Sequence, residues 1–147
     1  QTFLNGVNVC KEIRLSHVNS EVSKVAKISE VRAFLVSQQQ KLGVDKGIIM
    51  DGRDIGTVVF PEAECKFFLK ALPEIRAKRR QLEQIEIGNE ESLASVLASI
   101  KERDLIDSTR IASPLVKADD AIEIEVSEKS LEEVYQQLHE HIIKTIS

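Results

Sequence analysis

The sequence lacks the features that mark secreted and membrane proteins. Its two cysteines, Cys10 and Cys65, stand far apart and form no CxxC pair, which favours free thiols in a reducing compartment. No apolar run approaches the roughly 20 residues that a membrane-spanning helix needs. No signal peptide is visible either. These absences favour a cytoplasmic protein that has no membrane partner.

An excess of basic residues is also lacking. The 147 residues include 20 lysines and arginines against 24 acidic residues, so the net charge is −4. Because nucleic-acid binding by bulk electrostatics needs a basic face, we expect no nucleic-acid partner, although a local basic pocket stays open. The only methionine is Met50 and the first residue is Gln1, so we expect a further segment upstream in the natural protein.

The composition and patterning that are present fit one α/β domain. With 42% hydrophobic and 30% charged residues, the chain can bury a core. The pair Asn5 and Gly6 between two short apolar runs predicts a type I′ hairpin. Apolar spacing then predicts a helix from Ser16 and a second helix that Ser29 caps and Gly43 ends.

The most informative stretch is residues 47–57. Ile48, Ile49 and Met50 are consecutive apolar residues, which predicts a central parallel strand buried on both faces. The polar residues 51–54 then follow the carboxyl end of this strand, where ligands bind in open α/β sheets. A surface turn with solvated charges is the alternative, and the spacing alone favours neither.

A second predicted strand and the helix after it indicate the type of sheet. Residues 65–69 are a short apolar run bounded by polar residues, and Pro73 opens the next helix. A strand followed by a helix is half of a βαβ unit, which indicates a parallel sheet. Alternation over residues 121–126 predicts a further strand at the margin of the sheet.

Two more helices have predicted starting points. Asn89 is expected to cap the helix whose first turn holds Glu90 and Glu91. Ser130 and Glu133 have the spacing of a capping box, so the last helix is expected to begin there.

Arginines gather in three places along the chain. The first is Arg53, which follows the strand predicted at residues 48–50, and the second is Arg79 with Arg80 in a run of cations. The third is Arg103 with Arg110, which share one helical face with Asp107. A solvated basic face or a surface ion-pair ladder, worth only about 0.2–1 kcal/mol per pair, is the ordinary alternative for each set. Together they indicate a pocket for a small polyanion, as in phosphoryl transfer, where catalysis rests on positioning and charge neutralisation.

Several of these segments also carry a family resemblance. Residues 51–61, with the letters DGRDIGTVVFP, resemble the signature of bacterial cytidylate kinases, which phosphorylate CMP and dCMP with ATP. Residues 101–110 and 113–121 resemble the lid of that family and the strand after it. Residues 3–6, 25–26 and 31–32 fit its nucleotide-monophosphate-binding insert. The resemblance covers essentially the whole chain.

The resemblance implies a role for each candidate site residue. In such a site, Ser23, Arg32 and Asp54 would read the edge of cytosine. Arg103 and Asp107 would hold the ribose and help to clamp phosphate, while Arg53 and Arg110 would grip the CMP phosphate. The expected catalytic residues are Arg79, Arg80 and Arg103, together with Asp51, which would hold Mg²⁺ through water. Arg79 and Arg80 would belong to a mobile lid that closes over ATP.

The resemblance also implies a fold and a division of the chain. The expected fold is the three-layer α/β fold of P-loop nucleoside monophosphate kinases, built on a parallel sheet and incomplete here at the N-terminus. Residues 1–43 would be the C-terminal part of the nucleoside-monophosphate-binding insert. Residues 44–76 and 111–147 would form the α/β core, and residues 77–110 the lid. CMP or dCMP and ATP are the expected small-molecule partners, with Mg²⁺ as cofactor.

One departure from the family changes the expected activity. The pattern GxxxxGK[ST], which cradles ATP phosphates, occurs nowhere in the 147 residues. We therefore expect the chain alone to be inactive as a kinase. A non-catalytic nucleotide-binding module and a structural fragment without a ligand are the alternatives. The family is expected to be monomeric, whereas dimerisation or a swap would cover the sheet edges that this chain exposes.

Overall fold

The computed structural model begins with the expected hairpin. It describes residues 1–86 and 88–146, apart from the side chains of Ser16, Asn19, Ser20 and Ser23. Strands β1 (Phe3–Leu4) and β2 (Val7–Asn8) pair antiparallel. Asn5 and Gly6 have φ values of 50° and 80°, the positive pair that a type I′ turn requires. The hairpin prediction is confirmed.

Two helices follow the hairpin. After a short 3₁₀ turn at Glu12–Arg14 come α1 (Ser16–Val25) and α2 (Ser29–Leu42). The expected cap at Ser29 is wrong, because Ile28 precedes the first turn and offers no side-chain hydrogen bond. Gly43 does end α2, and it lies so close to Phe60 that an added Cβ would stand 2.5 Å from the ring.

The strand expected at residues 48–50 is wrong. These residues adopt no regular secondary structure, and Ile49 is 95% exposed. A strand is held by hydrogen bonds to its neighbours, and no described strand pairs with this segment. Residues 51–54 therefore do not follow a strand. Asp54 instead opens a π-helix at Ile55–Val59.

The predicted parallel pairing is confirmed between two later strands. Strand β3 (Phe67–Lys70) lies beside β4 (Ile122–Glu125) with Phe67 opposite Ile122 and Lys70 opposite Glu125. The crossover between them contains α3 (Pro73–Glu86) and α4 (Leu93–Thr109), which pack against each other. The described residues thus form an α/β arrangement with a small parallel sheet.

Of the capping predictions for the last two helices, the one for α4 is wrong and the one for α5 is confirmed. Ser92, not Asn89, caps α4, and its hydroxyl accepts from the Ser95 amide at 3.2 Å. The capping box is confirmed at α5 (Leu131–Ile146): Glu133 accepts from the Ser130 amide at 2.7 Å, and Ser130 accepts from the Glu133 amide at 3.2 Å.

The buried apolar core of the described residues is small and draws on the π-helix, α3, α4 and the β4 strand with the residue after it. Its buried members are Val59, Ala77, Val96, Ile124 and Val126. The cysteines are free, as predicted. In the part of the chain that the structure describes, no helix is long and apolar enough to cross a bilayer.

Candidate functional site

Six of the seven predicted substrate-binding residues line one cavity of about 170 Å³. The cavity lies where α1, α2, the segment that leads into the π-helix and the end of α4 converge. Its charged residues are Arg32, Arg53, Asp54, Arg103, Asp107 and Arg110. The seventh, Ser23, is a residue of α1, but its side chain lies outside the described part of the structure.

One end of the cavity is an ion pair between α2 and the start of the π-helix. Arg32 donates through Nη2 to Oδ1 of Asp54, whose residue is only 2% exposed. The pair does not use all of its polar atoms: Nε of Arg32 and Oδ2 of Asp54 are buried and have no hydrogen-bond partner. This end therefore offers one donor and one acceptor to a ligand.

At the other end, three arginines share the carboxylate of Asp107, which is 2% exposed. Its Oδ2 accepts from Nε of Arg53 at 3.1 Å and lies 3.7 Å from Nε of Arg103. Its Oδ1 accepts from Nη1 of Arg110 at 3.5 Å. Arg110 also donates through Nε to the carbonyl of Ser113 at 2.7 Å, which fixes its direction. The structure thus brings Arg53, Arg103 and Arg110 together around Asp107, while their roles toward a ligand stay predictions.

Positive charge is in excess in this cavity. Four arginines line it against two aspartates. Burial lowers the pKa of Arg103 from its ordinary value, and the positive charges of Arg53 and Arg80 lower that pKa further. Nε of Arg103 and Nη2 of Arg110 are buried without hydrogen-bond partners. A ligand with two negative charges would neutralise the excess and accept these unused donors.

The other predicted site residues occupy different positions. Asp51 is exposed and does not line the cavity. Arg80 donates to Glu83 at 3.1 Å and is close enough for its charge to affect the pKa of Arg103. Arg79 points elsewhere and donates to three backbone carbonyls just after β4, those of Val126, Ser127 and Lys129, at 2.8–3.2 Å.

A metal site of the closed, all-protein kind is not found among the described residues. No group of three or more histidine, cysteine, aspartate or glutamate side chains is placed to hold an ion there. Mg²⁺ commonly binds through one or two carboxylates, substrate phosphates and several waters. The exposed Asp51 carboxylate fits binding of Mg²⁺ of this kind, through water, but does not fit a closed all-protein site.

Gln39 and an apolar wall complete the cavity, and sequence reasoning missed them. Val22, Ala26 and Ile55 supply the apolar surface. Gln39 lines the cavity from α2, and its Oε1 is buried without a hydrogen-bond partner. The spacing could have predicted Gln39, because it follows Arg32 by seven residues, or about two helical turns, and so lies on the same helical face.

The chain is similar both to a protein family and to individual curated proteins. The family model described as cytidylate kinase matches residues 1–144. A curated cytidylate kinase of Parabacteroides distasonis is 54% identical over 145 residues, covering 99% of this chain and 63% of that protein. One from Bacteroides thetaiotaomicron is 49% identical with the same coverage. One from Flavobacterium psychrophilum is 54% identical over 92% of this chain and 60% of its own length. The chain thus spans about three fifths of the length of these relatives.

Proposed function

The chain belongs to the cytidylate kinase family, and from this membership and the geometry of the cavity we propose that it binds the acceptor nucleotide, CMP or dCMP. The reaction proposed for the whole protein is phosphoryl transfer from ATP to that nucleotide. One observation carries the proposal: a single cavity holds four arginines against two aspartates, and several polar atoms of these residues are buried without partners.

The Asp107 end is proposed to hold the sugar and the phosphate. Arg53 and Arg110 grip the phosphate, whose charge matches the excess in the cavity. Arg103 and Asp107 contact the ribose, and Arg103 also helps to neutralise charge on the phosphate. Because phosphoryl transfer leaves little covalent work to the protein, arginines that fix the acceptor oxygen and screen charge supply much of the catalysis.

The Arg32 end is proposed to read the base together with Ser23. Cytosine presents an amino group beside a ring nitrogen that accepts a hydrogen bond, whereas uracil presents a carbonyl beside an N–H. The unused acceptor of Asp54 and the unused donor of Arg32 match the cytosine pattern.

The ATP side of the reaction is not supplied by these residues alone. The sequence contains no GxxxxGK[ST] pattern, so no backbone cradle for the ATP phosphates is available. We therefore propose that the 147-residue chain is inactive as a kinase on its own, and CMP-dependent ATP turnover at an enzymatic rate would overturn this. Arg79 and Arg80 in a closing lid, and Asp51 toward Mg²⁺ through water, remain proposals for the whole protein.

The three-layer P-loop fold and the division of the chain are also proposals. Residues 1–43 belong to the nucleotide-binding insert, residues 77–110 to the lid, and residues 44–76 with 111–147 to the core. A monomeric whole protein and dimerisation of this chain alone are proposed as well, and sedimentation at two concentrations checks the second.

Calorimetric titration with CMP tests the proposed binding. We expect saturable binding to the unaltered chain and at least a tenfold loss with Arg53→Ala, because a charge-assisted contact to phosphate is worth about 1.5–3 kcal/mol. Lys41→Ala is the control, since this exposed cation on α2 does not line the cavity. The absence of heat with CMP would favour the alternative of a structural fragment. Binding without catalysis in the whole protein would favour a non-catalytic module.

A further inference from the structure

We propose that Gln39 is a specificity-determining residue, whose side-chain carbonyl accepts a hydrogen bond from the exocyclic amino group of the bound base. This inference rests on the proposed function and names a base contact that neither the signature segments nor the arginine sets contain. It starts from an observation at the cavity: Oε1 of Gln39 is buried, faces no hydrogen-bond donor and belongs to a cavity-lining side chain.

Gln39 lines the same cavity as Arg32 and Asp54, and it does so from α2. It follows Arg32 by seven residues, which is about two helical turns, so both side chains leave the same face of the helix. Arg32 is already fixed by Asp54 across the cavity. Gln39 and Asp54 therefore line the cavity from two different elements.

A hydrogen bond holds these two elements together. Nε2 of Gln40, the next residue on α2, donates to the carbonyl of Val59 at 3.1 Å. Val59 is the last residue of the π-helix that Asp54 opens, and its amide donates to the Asp54 carbonyl at 3.2 Å. These hydrogen bonds fix the backbone that holds Gln39 relative to the backbone that holds Asp54. The two side-chain acceptors can therefore bind the same group of a ligand.

The chemistry of the two acceptors selects an amino group. Oε1 of Gln39 and Oδ2 of Asp54 both lack a donor, and an exocyclic amine carries two hydrogens. Cytosine provides that amine. Uracil has a carbonyl oxygen in the same place, which would face two acceptors without a hydrogen. Buried polar groups left without partners are the strongest source of discrimination between ligands of similar shape.

Titration of three ligands into the full 147-residue chain tests this inference. The ligands are CMP, UMP and ribose 5-phosphate, which has the same phosphate and sugar but no base. The variants are Gln39→Leu, which removes the acceptor, and Gln39→Glu, which keeps acceptor oxygens at a similar length. Gln38→Leu is the control, because Gln38 is the neighbouring glutamine on α2 and does not line the cavity.

We expect Gln39→Leu to weaken CMP binding about tenfold, a change of about 1.4 kcal/mol. Binding of ribose 5-phosphate should stay the same and binding of UMP should not weaken, so the preference for CMP over UMP falls by at least the same factor. Gln39→Glu should keep most of that preference, and Gln38→Leu should match the unaltered chain.

The failures of the two proposals are distinguishable. If the unaltered chain binds neither CMP nor ribose 5-phosphate, the proposed function fails and the base contact fails with it. If the chain binds CMP but Gln39→Leu keeps the full preference for CMP over UMP, the role of Gln39 is overturned and the proposed function stands. An equal loss for all three ligands would also overturn the role of Gln39, since that is the effect of a structural change.

Discussion

Arg32 of α2 and Asp54 at the head of the π-helix form an ion pair that closes one end of the cavity. The side chains of Arg32 and Asp54 are 13% and 2% exposed, so water screens neither charge well. A buried pair of this kind is sensitive to loss of one member, because the other charge is then left in a medium that solvates it poorly.

Asp54→Ala is therefore expected to lower the free energy of unfolding by about 3–5 kcal/mol. Urea denaturation followed by circular dichroism measures the change. The double variant Arg32→Met with Asp54→Leu is the control and should recover much of the loss, since it removes both charges and keeps apolar volume. A loss below about 1 kcal/mol, the size typical of exposed pairs, would contradict the buried role of this pair.

The excess of arginines in the cavity predicts a conflict between stability and binding at Arg103. Burial and the nearby charges of Arg53 and Arg80 disfavour its cationic form, as the lowered pKa of Arg103 indicates. Because 38% of the Arg103 side chain is exposed and water screens these charges, Arg103→Met should raise the free energy of unfolding by only about 0.2–1 kcal/mol. The same variant should weaken the binding of inorganic phosphate in a titration.

The matched control for this prediction is Lys101→Met on the same helix. Lys101 lies 3.2 Å from Glu74, is exposed and does not line the cavity. We expect no gain in stability and no change in phosphate binding for this variant. A destabilised Arg103→Met chain would show that the attraction of Asp107 outweighs the repulsion between the arginines.

Arg79 is predicted to contribute to the stability of the sheet. A single nitrogen, Nη2, donates to the three carbonyls just after β4. Because Nη2 has only two hydrogens and Arg79 is exposed, we expect the three contacts together to contribute about as much as one hydrogen bond from a charged group, about 1.5–3 kcal/mol. Arg79→Met should lower the free energy of unfolding by roughly 1–3 kcal/mol, as measured by chemical denaturation. Lys78→Met, the exposed neighbour on α3, should have little effect. Equal stability of the two variants would argue against the structural role of Arg79.

The capping box of α5 predicts a dependence of stability on pH. The backbone amide of Ser130, and after it the Ser130 hydroxyl, lowers the pKa of Glu133 below its ordinary value of 4.5. A lowered pKa in the folded state means that the stabilisation is present above pH 4.5 and is lost as the pH falls through the folded pKa. Melting curves between pH 6 and pH 3 on the unaltered chain and on Glu133→Gln measure the effect.

We expect the two chains to differ most at pH 6 and to converge at the acidic end. Glutamine keeps the hydrogen-bonding geometry of the box but does not titrate, so it is the appropriate control. A constant difference across this range would show that Glu133 does not supply the titrating interaction.

Local signals in the sequence predicted the elements that depend on neighbouring residues. The hairpin at Asn5 and Gly6 and the capping box at Ser130 and Glu133 are each decided by a few adjacent residues, and both are confirmed. The strand at residues 48–50 failed because a strand needs a partner from elsewhere in the chain. Ser92 replaced Asn89 as a cap because the helix starts later than its acidic residues suggested.

In the candidate site, too, the contacts between residues close in sequence were predictable, whereas those that depend on tertiary packing were not. Arg103, Asp107 and Arg110 share a helical face, so their spacing was sufficient to bring them together. The direction of Arg79 depends on tertiary packing, which spacing does not encode, whereas Gln39 shares a helical face with Arg32 and was open to prediction from spacing. The sequence therefore predicted the contacts of Arg103 and Arg110 with Asp107, but it missed the cavity-lining glutamine and the hydrogen bonds of Arg79 to the carbonyls after β4.

The π-helix has a consequence for the entropy of ligand binding. The backbone carbonyl of Asp54 accepts from the amides of Val58 at 2.9 Å and Val59 at 3.2 Å, while its side chain faces the cavity. Asp54, the residue proposed to contact the ligand, is therefore held by a helical turn and not by a free loop. The backbone at Asp54 therefore loses little conformational entropy when a ligand binds. Most of the free energy of the contact with Asp54 then contributes to affinity.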